Sequence, residues 1–226
     1  MGHVGPSTLI VVGLAREARL WRGSDCQIVI GGANSGWLRA ALAAPRTTEV
    51  SEVISFGLAA GLRPGLAPGA LALAETIFDG AARFATDSAW RAELQQALPD
   101  AEAADLAGVD ELVASPQAKA ALFRATGAAV ADMESHIVAG FALERHLRFA
   151  VIRAVADPAE RGLPPAALAA IRPGGGIDLP ALARSILGQP SQLAALSRLG
   201  LDARAGMRAL ARAVQALRGR GGARSA

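Results

Sequence analysis

The chain has 226 residues, of which 52% are hydrophobic and 4% aromatic, and its formal net charge is +3. This length and apolar fraction are typical of one α/β domain with a sizeable core, so residues 1–226 are taken as a single domain. The basic residues are nearly all arginines spread along the chain, with few aromatic residues among them, which argues against nucleic-acid binding.

Apolar runs of strand character alternate with segments of helical character. In chain order the predicted strands are Thr8–Val12, Gln27–Ile30, Val53–Phe56, Ala70–Ile77, Ala128–Ala131 and Arg148–Val155, and the predicted helices are Arg16–Trp21, Ser35–Ala44, Ser88–Ala97, Pro116–Thr126, Glu134–His146 and Pro165–Ile171. Such alternation favours a largely parallel sheet covered on both faces. Ligands of these sheets bind at the carboxyl ends of the strands.

The last part of the chain changes character at about residue 173. It becomes rich in Ala, Leu and Arg, with expected breaks at Pro180, Pro190 and Gly200, and the spacing of its apolar residues predicts two or three helices packed on the same domain. The arginine-rich run at residues 218–224 is interpreted as a solvated terminus.

Cysteine, histidine and hydropathy patterns exclude several kinds of protein. Cys26 is the single cysteine, and His3, His136 and His146 do not have the spacing of metal ligands, so we predict no metal site. No apolar run is long enough to span a membrane, and no signal-type segment precedes the first strand. We therefore expect a cytoplasmic protein without a membrane span.

Two acidic positions point to chemistry at the strand ends. Asp132-Met133-Glu134 opens a predicted helix, and Asp157 ends the next apolar strand. Both places face the crevice beyond the carboxyl ends of the strands. Two carboxyl groups there predict acid–base chemistry on a sugar or a base.

Five segments in order resemble the purine nucleoside phosphorylase/nucleosidase superfamily, and in particular its methylthioadenosine/S-adenosylhomocysteine nucleosidase branch. They are Val12–Ala18, Ser55–Leu62, Pro68–Leu71, Asp132–Glu134 and Arg153–Asp157. The resemblance implies a three-layer α/β/α domain around a mixed, mostly parallel sheet, a purine nucleoside as substrate, no cofactor, and a homodimer. The turn Gly108-Val109-Asp110 and the unusual C-terminal part are most similar to hopanoid-associated phosphorylases, which are proposed to release adenine from adenosylhopane.

The resemblance assigns roles to the acidic positions. Asp157 corresponds to the general acid that protonates the leaving adenine, and Glu134 to the residue that holds the ribose hydroxyls, where a carboxylate opposes the positive charge that develops on the sugar. Met133 would pack against the sugar, and Asp132 stands where the family has Glu. The alternatives are ordinary structural roles: a helix-opening Glu134 and a surface Asp157 before proline.

Glu17 would decide between water and phosphate as the nucleophile. If one gap is allowed in the loop after Gly13, Glu17 matches the family's general base that activates water; otherwise it is an ordinary first-turn helix Glu. Gly31 and Gly32 follow the second strand and offer backbone N–H groups to phosphate or to the attacking water. Inorganic phosphate is therefore the alternative co-substrate.

The base and the 5′ side of the ribose are less completely specified. The resemblance places Ala59, Ala60, Leu112 and Val113 around the base, but the family's aromatic residue is missing, which leaves Trp37, Phe78 or Phe84 to stack on it. The region Leu163–Ile171 and the helices beyond Gly176 are expected to form an apolar groove for a hydrocarbon such as hopane, or else ordinary helix-packing core.

Departures from the family pattern leave a rival interpretation open. Leu58 and Ala156 replace small hydroxylated residues of the nucleosidases. A non-catalytic relative that binds purine nucleosides is therefore the alternative from another functional class, besides a plain methylthioadenosine/S-adenosylhomocysteine nucleosidase and a general purine nucleoside phosphorylase.

Overall fold

The computed structural model describes residues 7–32, 34–44, 49–170 and 178–219. Its strands are β1 (Thr8–Val12), β2 (Gln27–Ile30), β3 (Glu52–Gly61), β4 (Leu71–Asp79), β5 (Ala82–Ala85), β6 (Glu102–Gly108), β7 (Val130–Asp132) and β8 (Arg148–Asp157). Its helices are α1 (Ala15–Ala18), continued by a 3₁₀ turn, α2 (Ser35–Leu42), α3 (Ser88–Ala97), α4 (Pro116–Thr126), α5 (Ser135–Glu144), α6 (Pro165–Ala170), α7 (Leu179–Gly188) and α8 (Gln192–Gly219).

The eight strands form one mixed sheet. β2, β1, β3 and β8 run parallel to one another, and β4, β6 and β7 run parallel to one another in the opposite direction. Because β7 pairs with β3 and β4 pairs with β8, the strands β3, β7, β6, β4 and β8 pair in a closed ring. This arrangement confirms the predicted mixed α/β class.

Helices cover both faces of the sheet and create two large apolar cores. One core packs α2 and α5 against the sheet, with Leu38 and Ile137 among its buried residues. The other core packs α3 and the second half of α8 against the opposite face, through Trp90, Leu210 and Val214. The C-terminal helix is therefore part of the same layered unit as the strands.

Several element predictions needed correction. The strands β5 and β6 were not predicted because their alanine-rich sequences lack the β-branched residues that favour strands. β3 continues through Gly57 to Gly61, where a turn was expected after Phe56. The break expected at Gly200 is wrong, since α8 runs through it. Residues 171–177, which include the expected boundary at about 173, lie outside the described residues.

A bulge near the end of β8 changes the direction of its last side chain. Ala59 of β3 pairs with Val155, but the next residue, Ala60, pairs with Asp157, so Ala156 is the extra residue. A bulge reverses the alternation of side chains and is a common way of aiming a residue into a site. The carboxyl group of Asp157 is placed by this irregularity. None of the described helices is long and apolar enough to cross a membrane.

Candidate active site

Glycines at the strand ends allow charged side chains to enter the crevice of the sheet. A Cβ on Gly13 would lie 2.9 Å from Oε1 of Glu134, and a Cβ on Gly57 would lie 2.6 Å from Nη1 of Arg153. Gly31 is similarly close to the Glu134 side chain, at 3.3 Å. Any larger residue at these positions would displace the charged groups, so the glycines are needed for close approach.

Arg153 of β8 is the buried centre of a polar network. Its guanidinium pairs with Asp132 and donates to the hydroxyls of Ser55 (2.7 Å) and Ser135 (3.2 Å). Asp132 also accepts hydrogen bonds from the backbone N–H groups of Glu134 (3.1 Å) and Ser135 (2.8 Å). Asp132 therefore caps the start of α5 and neutralises Arg153, rather than facing the crevice as a free ligand.

Glu17 lies in the same crevice, although it opens only a short helix. Its side chain accepts hydrogen bonds from the backbone N–H groups of Leu14 (2.8 Å) and Leu58 (2.9 Å), and the residue is 2% exposed. The bond to Leu14 is the cap of an ordinary helix-opening Glu, whereas the bond to Leu58 ties the carboxyl group to β3. Burial raises the pKa of Glu17 despite nearby Arg153.

Glu134 lies between Arg153 and the first two strand ends. Its Oε2 is 3.7 Å from Nη2 of Arg153, and burial raises its pKa to about 7, with further increases from the charges of Asp132 and Glu17. Three carboxyl groups thus surround a single guanidinium. The excess of acid over base means that protons are held in this cluster near neutral pH.

Asp157 occupies a separate charge environment at the end of β8. Its Oδ2 is 2.6 Å from Nζ of Lys119, whose side chain is fully buried. The ammonium also donates to the carbonyl oxygens of Pro158 (2.9 Å) and Arg161 (2.8 Å). Burial raises the pKa of Asp157 against the opposing effect of Lys119, and burial lowers the pKa of Lys119. The arrangement excludes the alternative of an ordinary surface aspartate.

Sequence reasoning missed Lys119, although the sequence contains a signal for it. Lys119 is the single lysine in a chain with 22 arginines. A compact titratable ammonium differs from the planar, permanently charged guanidinium. The retention of one lysine in such an arginine-biased sequence distinguishes this position from the others. Arg153 was included in the recognised segment, but no role was assigned to it.

The remaining predicted site residues lie around these two groups. Met133 is half-buried between β7 and α5, and Ala60 pairs with both Ala131 and Asp157. Ala59 is buried in the sheet, while Leu112 is exposed and Val113 is half-buried in the segment between β6 and α4. Phe78 and Phe84 pack against the cores, whereas Trp37 is 49% exposed on α2.

Asp110 ties the segment that holds Leu112 to the rest of the crevice. Its Oδ1 accepts from the hydroxyl of Ser35 (2.8 Å) and is 3.3 Å from Nε2 of His136. The hydrogen bond from Ser35 is the main cause of the lowered pKa of Asp110. In the described part of the chain, no group of three or more His, Cys, Asp or Glu side chains is arranged to hold a metal ion.

The backbone N–H groups of Gly31 and Gly32 already have partners. They donate to the carbonyl oxygens of Val12 (2.7 Å) and Gly13 (2.9 Å), which extends the pairing of β1 with β2. Ala33, in the middle of the loop, lies outside the described residues. An anion at Gly31 and Gly32 would have to replace these hydrogen bonds and lie beside Glu134.

Leu58 and Ala156, the two departures from the family pattern, both contact the C-terminal helix. A Cβ on Gly206 of α8 would lie 2.7 Å from Cδ2 of Leu58, 3.2 Å from the carbonyl oxygen of Val155 and 3.4 Å from Cβ of Ala156. The helix therefore approaches the strand ends as closely as glycine permits. Apolar packing occupies the places where hydroxyl groups were expected.

Comparison with protein families decides the assignment. The family model described as "Phosphorylase superfamily" matches residues 3–171. The chain belongs to the phosphorylase superfamily. This result confirms the predicted superfamily and, at that level, the prediction of an enzyme. A comparison with curated proteins gave no match.

Solved structures share the fold of this phosphorylase superfamily member at low sequence identity. The methylthioadenosine/S-adenosylhomocysteine nucleosidase of Streptococcus pneumoniae, solved with a transition-state inhibitor, is 17% identical over 93% of this chain and 99% of its own, with a TM-score of 0.64. The Colwellia psychrerythraea nucleosidase in complex with adenine is 16% identical over 93% and 95%, with a TM-score of 0.65. The Helicobacter pylori futalosine hydrolase mutant is 13% identical over 66% and 88%, with a TM-score of 0.58.

Proposed function

We propose that this protein hydrolyses the N-glycosidic bond of an adenine nucleoside. The observation that carries the proposal is the pair of distinct acidic environments at the ends of β3 and β8: an excess of carboxyl groups around Arg153, and Asp157 beside Lys119. Glycosidic cleavage needs one group to protonate the leaving base and another to stabilise the sugar cation. The superfamily and the nucleosidase-like fold support the same reaction.

Each acidic residue receives one role in this proposal. Asp157 delivers a proton to the purine N7, so that adenine leaves as a neutral base. Glu134 holds the ribose hydroxyls and, once ionised, opposes the charge on the sugar ring, while Met133 packs against the ring. Glu17 orients the attacking water. Ala59, Ala60, Leu112 and Val113 surround the base.

Water is favoured over phosphate as the nucleophile by the local charge. Glu17, Glu134 and Asp132 together outnumber the one guanidinium, which pairs with Asp132 and lies beside Glu134, so this cluster has no spare cation to hold a phosphate. The N–H groups of Gly31 and Gly32 already donate to backbone carbonyls, which also favours water over phosphate. No cofactor or metal is needed for this hydrolysis.

The packing of α8 answers the argument for a non-catalytic relative. That argument rested on the missing hydroxyls at Leu58 and Ala156. Both residues lie against Gly206, and the backbone N–H of Leu58 still donates to Glu17. The substitutions are therefore explained by helix packing and do not require a loss of turnover.

We propose that the substrate has a bulky apolar 5′ group, as in adenosylhopane. Support comes from α6, which follows the loop after Asp157 and consists of alanine, leucine and proline, with Leu168 41% exposed. Ile171 and the following residues to 177 of the expected groove lie outside the described part. The resemblance also implies a homodimer, which the mass of the native protein in solution tests, and the sequence patterns predict a cytoplasmic location.

The decisive experiment combines substrates with nucleophiles. Purified protein is incubated with adenosylhopane, methylthioadenosine or adenosine, with and without phosphate, and adenine and sugar products are quantified. We expect free sugar at a rate that phosphate does not raise, a preference for adenosylhopane, and an inactive Glu17→Gln beside an active Glu144→Gln control. Sugar 1-phosphate would contradict hydrolysis, and equal or better cleavage of methylthioadenosine would contradict the apolar 5′ group.

A further inference from the structure

The formal charge of the chain is divided between its two parts. Residues 178–226 contain eight arginines and two acidic residues, a charge of +6, whereas residues 1–177 contain 15 basic and 18 acidic residues, a charge of −3. The arginines are spread along the chain, but acidic residues are nearly missing from the C-terminal part. Arg218, assigned above to the solvated terminus, instead donates to Ser24 and to two backbone carbonyls.

Three of these arginines lie on one exposed face of α8. An exposed stripe follows helical spacing along the helix, through Leu193, Ser197, Leu201, Arg204, Arg208, Arg212 and Gln215. In the described residues none of its three arginines forms an ion pair. The one acidic residue of the helix, Asp202, is half-buried and pairs with Arg161 at 2.8 Å. The positive charge of this face is therefore not neutralised by an acidic side chain of the described residues.

Apolar side chains are exposed on α7 and the first half of α8. Leu187 is 82% exposed, Leu179 66%, Leu201 63% and Leu193 51%. The amide of Gln192 at the start of α8 donates to the carbonyl oxygen of Ser185 (3.3 Å), so the end of α7, which carries Leu187, adjoins the start of α8. A cluster of exposed leucines on a folded protein indicates a contact surface. Leu193 and Leu201 lie on the basic stripe, and Leu187 lies close in sequence to its start. We call this combined surface the Leu–Arg face.

We propose that the Leu–Arg face binds the surface of an anionic lipid membrane. Arginines attract anionic headgroups, and leucines enter the boundary between headgroups and acyl chains. A second copy of this chain would bring like charges together, and a nucleic acid would leave the leucines exposed. The proposal does not depend on the proposed function.

Vesicle co-sedimentation of the full chain tests this proposal. We expect binding to phosphatidylcholine vesicles that contain phosphatidylglycerol, weakened by salt, and little binding to phosphatidylcholine alone. Arg204→Gln/Arg208→Gln/Arg212→Gln should lose about 100-fold in affinity. The control Arg22→Gln/Arg39→Gln/Arg124→Gln removes the same charge from other exposed positions and should bind like the parent.

Two leucine variants, one on the face and one elsewhere, test the apolar half of the face. Leu187→Ser should weaken binding roughly 10-fold, whereas Leu143→Ser, an equivalent change at an exposed leucine of α5, should not. The proposal is wrong if anionic vesicles are not bound, if both arginine variants lose affinity equally, or if Leu187→Ser binds like the parent. Self-association that the α8 arginine variant abolishes would assign the face to a second copy instead.

A different observation supports a second inference, which rests on the proposed function. The single lysine of the chain is buried against the carboxyl group of Asp157 and against the carbonyls of the loop that follows it. We infer that Lys119 is a positioning residue for Asp157. It holds the carboxyl group in one orientation and keeps the loop 157–161 closed over it.

The pH dependence of kcat/KM distinguishes this role from plain structural support. Removing the ammonium in Lys119→Met should raise the pKa of Asp157, so the alkaline limb should move to higher pH, and kcat should fall by up to about 100-fold. Lys119→Arg keeps a positive charge beside Asp157, so its alkaline limb should stay closer to the parental pH than that of Lys119→Met. Arg124→Met on the same helix should leave it unchanged.

The outcomes separate this inference from the proposed function. A parent protein that releases no adenine contradicts the function itself. A parent that is active, with a Lys119→Met variant that only melts at lower temperature and keeps the parental pH profile, contradicts the positioning role. Should Lys119→Met not fold, Lys119→Gln replaces it, since the neutral amide can still donate to the loop carbonyls; a parental pH profile and kcat in this variant would overturn the inference.

Discussion

The two charged clusters of the crevice are both built on β8, through Arg153 and Asp157, but they differ in their balance of acidic and basic groups. Arg153 and Asp157 are four residues apart on β8, which corresponds to roughly 13 Å of extended chain. Around Arg153, three carboxyl groups share one guanidinium. At Asp157, one carboxyl group forms an ion pair with one ammonium, that of Lys119. The same strand therefore presents an acid-rich end and a balanced end.

This difference shows how one scaffold can separate proton donation from charge stabilisation. Environments that give titratable groups different proton affinities allow acid and base roles at a single pH. Burial raises the pKa of both Glu134 and Asp157, and a cation opposes the rise at each, Arg153 at Glu134 and Lys119 at Asp157; only Glu134 has two further carboxyl groups, Asp132 and Glu17, that add to the rise. Variants that remove one side of this comparison should have distinct effects.

Asp157→Asn should have the largest effect, and on turnover alone. The amide keeps the shape of the carboxyl group but cannot donate its proton, so adenine release should fall by on the order of 10²–10⁴-fold. Substrate binding, measured by calorimetry with a nucleoside, should change little. A variant that releases adenine within about threefold of the parental rate would contradict the assignment.

Arg153→Met should have the largest effect on stability. It leaves Asp132, Glu134 and Glu17 without their shared cation, and removing one partner of a buried ion pair costs about 3–5 kcal/mol. The free energy of unfolding from urea titration measures this loss. Arg145→Met, at the exposed position that follows α5, is the control. Equal stability of the two variants would show that the cluster does not depend on its guanidinium.

The acidic positions were predictable from the sequence because short motifs placed them at strand ends. Asp132, Glu134 and Glu17 do lie in one crevice, as the motif order indicated, and strands β1 and β2 have the predicted bounds. Pattern reasoning could not give the partners. The bulge at Ala156, the contact of Gly206 with Leu58 and the burial of Lys119 depend on packing between segments distant in sequence.

The role of Asp132 shows the same limit. Its position beside Met133 and Glu134 predicted substrate binding. Its carboxyl oxygens are engaged by Arg153, Ser135 and the start of α5. A carboxylate that caps a helix and pairs with a buried guanidinium has the same local sequence as one that faces a ligand. Only the three-dimensional neighbours distinguish them.

Glu134→Gln should stabilise the protein at alkaline pH while impairing catalysis. Because folding raises the pKa of Glu134 to about 7 from its ordinary value of 4.5, the folded state retains a proton that the unfolded chain releases. Stability is therefore lost as pH rises between these values. Glutamine avoids this loss, so the free energy of unfolding at about pH 8 should exceed that of the parent by up to about 3 kcal/mol.

The pH dependence provides the control for this prediction. Below the unfolded-state pKa both forms are neutral, so the gain from Glu134→Gln should disappear. Glu144→Gln, at an exposed position of the same helix, should show no such trend. A gain that is independent of pH would indicate that packing, rather than ionisation, explains the effect.

The smallest effect should come from the helix that contacts both groups. Gly206 lies against Leu58, whose N–H donates to Glu17, and against Ala156, which precedes Asp157. Gly206→Ala gains about 1 kcal/mol of helix propensity but places a methyl group 2.7 Å from Leu58 and 3.2 Å from a backbone oxygen. Overpacking costs about 1–3 kcal/mol, so the net loss of stability should be about 0–2 kcal/mol. Combining it with Leu58→Ala removes the closest contact, and a double-mutant cycle in urea should give a favourable coupling of about 1 kcal/mol. If the two changes are additive, α8 does not press on Leu58, and the missing hydroxyls at Leu58 and Ala156 would need another explanation than packing.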